Sequence, residues 1–172
     1  MSFGQAILPE FDNEMKNTRK MLERVPDANL SFKPHDKSMS LGLLATHIAE
    51  LPDWAVMTLD QDELDMDPSQ FKPRLATSQQ ELLDIFDKSV AAAREKIAAA
   101  NDERWNGIWT FKVNGRTMMA MPRTAVLRSM VLNHLIHHRG QLSVFLRLND
   151  VEIPGMYGPS ADEQSFFKPK SA

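Results

Sequence analysis

Four stretches of this chain repeat their apolar residues at intervals of three and four, the period of one face of an α-helix, and no long stretch alternates as strands do. Leu8, Phe11, Met15, Leu22 and Val25 mark the first helix, over Ile7 to Val25, which Pro26-Asp27-Ala28-Asn29 stops. After a loop over Leu30–Met39, Ser38 or Ser40 can cap a second helix from about Leu41 to Leu59, with Leu43, Leu44, Leu51 and Trp54 on one face. Pro52 should bend it, because proline has no N–H to give to Ile48. Asp60–Thr77, acidic and with Pro68 and Pro73, reads as a long surface connection with room for a helical turn. Ser78-Gln79-Gln80-Glu81 fits a capping box opening the third helix, whose stripe is Leu82, Phe86, Ala93, Ile97 and Ala100. Asn114-Gly115, between Ile108–Val113 and Arg116–Met121, is a hairpin signal. Pro122 suits the first turn of the last helix, which reaches about Leu148, and the polar, Gly- and Pro-containing tail from Asn149 should lie on the surface. The expectation is an all-α four-helix bundle with a short β-hairpin insertion near 108–121, in a single domain over 1–172.

Composition narrows the function classes. With 42% apolar and 25% charged residues the chain is globular, and 172 residues suit one core. A net charge of −3, with basic residues scattered, offers no electrostatic footprint for nucleic acid. The absence of cysteine removes disulfides, thiolate zinc sites and a Cys nucleophile together. No run of roughly eighteen apolar residues is present to span a membrane, and Met1-Ser2-Phe3-Gly4-Gln5 does not open a signal peptide, so a cytoplasmic protein is expected.

Most of the functional information lies in five histidines. Four residues along a helix amount to a rotation of only about 40°, so His134 and His138 stack one turn apart. Their arc also contains Leu127, Met130, Val131, Leu142, Phe145 and Leu148. His47 is placed the same way on the second helix. A buried imidazole needs a partner for each ring nitrogen, and a divalent cation supplies one partner to several imidazoles at once. His47, His134 and His138 are therefore the candidate metal ligands; packed, hydrogen-bonded core histidines are the alternative. Three nitrogen ligands leave a coordination position open, as reactive rather than structural sites do.

The other polar residues are weaker candidates. His137, about 100° around the helix from His138, should face solvent or an interface, and His35 lies in the Pro34 loop at the surface. Glu50, three residues after His47, is either a further ligand or support for one, or a solvated surface carboxylate. Gln141 lies on the His134 face, where it can orient a ligand, bind substrate or simply pack; Arg139 and Arg147 fall outside the core arc and read as surface or interface charges. No Ser-His-Asp arrangement, paired-carboxylate motif or phosphate loop is supported, which leaves the catalytic residues unassigned.

Three ordered motifs carry a resemblance. Phe32-Lys33-Pro34-His35-Asp36-Lys37-Ser38-Met39-Ser40-Leu41-Gly42 with Leu44-Ala45-Thr46-His47-Ile48, then Asn133-His134-Leu135-Ile136-His137-His138-Arg139-Gly140-Gln141-Leu142, and finally Val151–Glu163, resemble the DinB-like family over nearly the whole chain. The resemblance implies a four-helix bundle with a three-histidine nickel or zinc site, carried over to His47, His134 and His138, and a homodimer. It also implies a thiol-dependent enzyme using a low-molecular-weight cosubstrate such as bacillithiol or mycothiol on a small-molecule substrate. The family's name refers to regulation and implies no DNA binding. A hydrolase acting through a metal-activated water and a non-enzymatic metal- or ligand-binding protein are the competing readings. Specificity is expected in the Trp105–Met121 insertion.

Overall fold

The computed structural model describes residues 2–166; the ends of the predicted 1–172 domain, residue 1 and residues 167–172, lie outside them. Its helices are α1 (Phe3–Leu22), α2 (Leu41–Glu50), α3 (Asp53–Asp60), α4 (Gln79–Ala99), the short α5 (Asp102–Asn106), α6 (Arg123–Val126) and α7 (His134–Arg147). A π-helical stretch, Leu127–Asn133, joins α6 to α7 as one rod. Four rods result: α1, the α2–α3 pair, α4, and the α6–α7 rod. α4 packs against α1, α2 and α3, while α7 closes the bundle against α1 and α2. The expected four-helix bundle is what the chain forms.

Local chemistry sets the ends. Helix α1 starts at Phe3, four residues before the expected Ile7, because Ser2 Oγ accepts from Gln5 N at 3.2 Å while Gln5 Oε1 accepts from Ser2 N at 3.0 Å. Ser40, not Ser38, caps α2, accepting from Leu43 N at 3.2 Å. Ser78 caps α4 by accepting from Glu81 N, but the Glu81 carboxylate turns to Thr77 rather than closing a box. Pro52 does more than bend the second helix. Without its N–H the rod divides into α2 and α3, with Ala55 N resuming the pattern on the Pro52 carbonyl at 3.0 Å.

The hairpin forms as predicted from β2 (Ile108–Val113) and β3 (Arg116–Pro122), antiparallel, with Asn114 and Gly115 both at positive φ, 48° and 76°. A third strand, β1 (Glu63–Met66), pairs parallel to β2 and gives the order β1-β2-β3. This corrects the reading of Asp60–Thr77 as connection alone. The strand is only four residues long and is held from outside itself: Lys112 pairs with Glu63 at 2.7 Å, and Gly115 N donates to the Asp65 carboxylate.

The core runs through all four rods, with Phe11, Leu22, Leu44, Ile48, Phe86, Ile97, Leu135 and Leu142 buried. Leu148, predicted in the core arc, is instead 56% exposed. The tail is less superficial than predicted: Val151, Ile153 and Met156 pack against the core. Among the described residues no helix is long and apolar enough to cross a membrane.

Candidate metal centre

Two elements bring the three histidines together. Ser40 fixes the start of α2, and Thr46 ties its middle down, donating to the Gly42 carbonyl at 2.7 Å and accepting from Ala76 N at 3.0 Å. The adjacent His47 therefore has a fixed approach to α7. From α7, His134 and His138 project one turn apart, as the spacing requires. Their Nε2 atoms are 2.8 Å apart, and His134 Nε2 is 3.4 Å from His47 Nε2. One nitrogen from each of the three rings lies within 4.8 Å of the other two. His47 and His134 are half-buried and His138 is buried.

These rings are held neutral. Burial, reinforced by the imidazoles of His138 and His134, lowers the His47 pKa to about 4. Burial likewise lowers His134 and His138; Gln141 opposes the shift of His138, and the Met130 backbone that of His134. At neutral pH each ring thus has a free lone pair and no proton to displace.

The hydrogen bonds then identify which nitrogens carry lone pairs. His138 Nδ1 is 2.7 Å from Gln141 Oε1, an acceptor, so Nδ1 carries the proton and Nε2 is bare. His134 Nδ1 is buried and makes no well-formed hydrogen bond. If its proton sits on Nδ1, toward Met130, two lone pairs face each other across 2.8 Å. If the proton sits on Nε2, the buried Nδ1 is an acceptor without a donor. Either arrangement is costly without a cation. Tetrahedral ligation at 2.0–2.1 Å spaces nitrogens about 3.3 Å apart, and cis-octahedral ligation about 2.9 Å. The 3.4 Å and 2.8 Å separations come close to these two values. The donor set suits a divalent ion, which His47, His134 and His138 would hold, with Gln141 against the ring of His138.

His137 is exposed, its ring 4.9 Å from that of His138. His35 is exposed, and its Nδ1 accepts from Lys37 N. Glu50 is half-buried in the wall of a cavity beside His47, outside the converging donors, with its pKa raised by burial. Arg147 pairs with Asp162 at the surface, as expected of a surface charge. Arg139 contradicts its reading: it is 2% exposed and pairs with the buried Glu14 at 2.7 Å. Its helix buries an arc centred on Leu135, Leu142 and Leu146, not on the histidines, and Arg139 falls inside that arc. Tyr157 from the tail joins this pair, hydrogen-bonding both partners. Sequence reasoning missed Glu14 and Tyr157; a Glu one turn after Phe11 and next to Met15, on the buried side of α1, was the available signal.

Two cavities flank the histidines. One, about 330 Å³, is lined by His47, Met39, Leu43, Glu50 and the Phe71–Arg74 segment. The other, about 270 Å³, is lined by His138 and Gln141 with Lys37, Ser38 and Phe145. Met39 borders both. The Trp105–Met121 insertion, where specificity was expected, contributes to neither lining; it buries Trp105 and Trp109 elsewhere.

A Bacillus subtilis protein described as uncharacterised, YrdA, is 26% identical over 167 residues, covering 94% of this chain and 92% of its own. The crystal structure of a DinB-like protein from Bacillus cereus superposes with a TM-score of 0.72 at 26% identity, covering 89% of this chain and 97% of its own. The DinB-like YjoA of Bacillus subtilis, 20% identical, shares the fold with a TM-score of 0.65 over 88% of this chain and 97% of its own. The model of the DinB family matches residues 1–170, and the chain belongs to that family.

Proposed function

We propose that this chain holds one divalent ion, nickel or zinc, on His47, His134 and His138 and uses it to transfer a low-molecular-weight thiol onto a small electrophilic substrate. The observation that carries the reading is the convergence of three neutral imidazoles, with no carboxylate in the cluster among the described residues. A shell so composed leaves positions free for an exchangeable ligand. Bound there, the ion supplies Lewis acidity, which favours the ionised form of a thiol at neutral pH. The chain contains no cysteine, so the sulfur nucleophile comes from outside. The chain's own residues set the geometry: Thr46 fixes the turn that carries His47, and Gln141 holds the His138 ring in one tautomer.

Elemental analysis of protein purified without chelator is expected to give close to one divalent ion per chain, and His134→Ala to lose most of it. Protein reconstituted with cobalt(II) is then titrated with small thiols, and sulfur-to-cobalt charge-transfer absorption is expected. Absence of that band with every thiol, in protein that still binds cobalt, removes the transferase reading and leaves the metal site. Ester hydrolysis without added thiol would put a hydrolase in its place. The reading extends to a homodimer, supported by the exposure of Val144 (57%) and Leu148 (56%) on the outer side of the last rod, and light scattering at micromolar concentration tests it.

A further inference from the structure

We propose that the two reactants reach the histidines from opposite sides: an apolar electrophile through the cavity beside His47, and a hydrophilic, anionic thiol through the cavity beside His138. This rests on the transferase reading and adds the substrate class. The cavity beside His47 takes its walls from the Met39, Leu43, Phe71 and Pro73 side chains, and its volume of about 330 Å³ is at the small end of ligand sites. Two of those walls are large apolar groups left in water, Phe71 at 62% and Met39 at 39% exposure. Phe71 is not on a free strap. The segment that carries it is fastened to the bundle by Ala76 N on Thr46 Oγ1, by Thr77 on the Glu81 carboxylate, and by Arg74 paired with Glu81 at 3.2 Å. A fixed apolar wall that water wets, ending at a candidate metal ligand, suits an apolar body of one ring and a short chain.

The cavity beside His138 is more polar, although Met39, Leu44 and Phe145 also border it. Lys37, Ser38 and Gln141 line it, and the lysine supplies a cation for a carboxylate on the thiol. Met39 lines both cavities, with His47 in the wall of one and His138 in the wall of the other, so each reactant has its own approach to the histidines. There the thiol sulfur gives an electron pair to the electrophilic carbon and the carbon–leaving-group bond breaks with its pair going to the leaving group. The thiol proton passes to solvent. No oxidant or reductant is required.

Binding tests this without turnover. Phenylalkanols from benzyl alcohol to 4-phenylbutanol are titrated calorimetrically into metal-free protein. Affinity is expected to rise about fourfold per methylene until the cavity is filled. Met39→Ser/Phe71→Ser, at two exposed positions, is expected to weaken the longest alcohol at least tenfold while circular dichroism is unchanged. A flat series, or an unchanged affinity in the double variant, overturns the apolar cavity. In cobalt-loaded protein, mercaptosuccinate is then titrated by its charge-transfer band. Saturating 4-phenylbutanol is expected to leave the midpoint unchanged within twofold, and Lys37→Glu to raise it at least fivefold. Displacement of the thiol by the alcohol overturns the two-sided arrangement. If the alcohols bind as expected but no thiol gives the band, the transferase reading fails and takes the thiol side with it. If the band appears over a flat alcohol series, the electrophile side alone fails.

Discussion

Replacing Glu14 by leucine removes one partner from a buried ion pair and leaves the other in place. Glu14 is 5% and Arg139 2% exposed, and Arg139 Nη2 donates to Glu14 Oε2 at 2.7 Å. The tail's Tyr157 hydroxyl donates to the same carboxylate oxygen at 2.8 Å, so one substitution breaks both contacts. Stranding a buried charge costs about 3–5 kcal/mol. Arg139 keeps three neutral acceptors, the Glu14 carbonyl, Thr18 Oγ1 and the Tyr157 hydroxyl, and the tyrosine is open to water. The low end, about 3 kcal/mol, is therefore expected. For a chain of this size that corresponds to a fall in Tm of about 6–12 °C. Urea denaturation gives the free energy and calorimetry the Tm. Glu14→Leu/Arg139→Met, which buries no charge, should recover more than half of the loss. A cost below about 1 kcal/mol for Glu14→Leu, or a double variant no more stable than the single, would refute the claim that the pair is buried and coupled.

Three further outcomes follow from the same geometry. Gln141→Leu leaves the three imidazoles in place but frees the His138 ring, so zinc or nickel affinity should fall about 10–100-fold by competition with a chelating dye; an unchanged affinity counts against its orienting role. In metal-free protein His47 takes up a proton near pH 6.5 when unfolded but only near 4 when folded. The unfolded state binds more protons between those values, so stability should decline as pH falls from about 6.5 to 4, and His47→Leu should flatten part of that slope in urea melts. Gly4→Ala places a Cβ 2.3 Å from the Ile97 carbonyl oxygen, where α1 meets the end of α4. It should destabilise the fold by about 1–3 kcal/mol, read by thermal melting.

What the sequence disclosed divides along a physical line. The four rods and the Asn114-Gly115 turn rest on interactions within a few residues and were legible, as was the disturbance at Pro52, although it was read as a bend and is a division into two helices. Strand β1 was not. Leu64 and Met66 alternate with Glu63 and Asp65, but four residues carry too little periodicity to outweigh an acidic, proline-bearing context, and their pairing partners lie 47 residues away on β2. The segment that sets Phe71 beside His47 was illegible for the same reason: it has no repeat, and side chains of other elements, Thr46 and Glu81, hold it in place.

The candidate ligands were legible because imidazole is the wrong side chain for an apolar face unless something binds it. Centring the buried face of the last helix on them nevertheless misplaced Arg139 and Leu148. Leu135, Leu142 and Leu146 are fully buried and define the middle of the arc; His134 and His138 lie on one margin, and Arg139 on the other. The margin is what a reactive site needs. A ligand at the centre of the arc would meet only packed leucine, whereas at its edge the same turn of helix reaches the cavity beside His138. On the opposite margin, one residue on, Arg139 fastens that turn to α1 and the tail through Glu14, Thr18 and Tyr157. Its buried charge thus has a use beyond stability, because it fixes the rotation of the helix that aims both histidines at His47. Arg139→Met alone should accordingly weaken metal binding as well as the fold, although its side chain touches none of the three imidazoles.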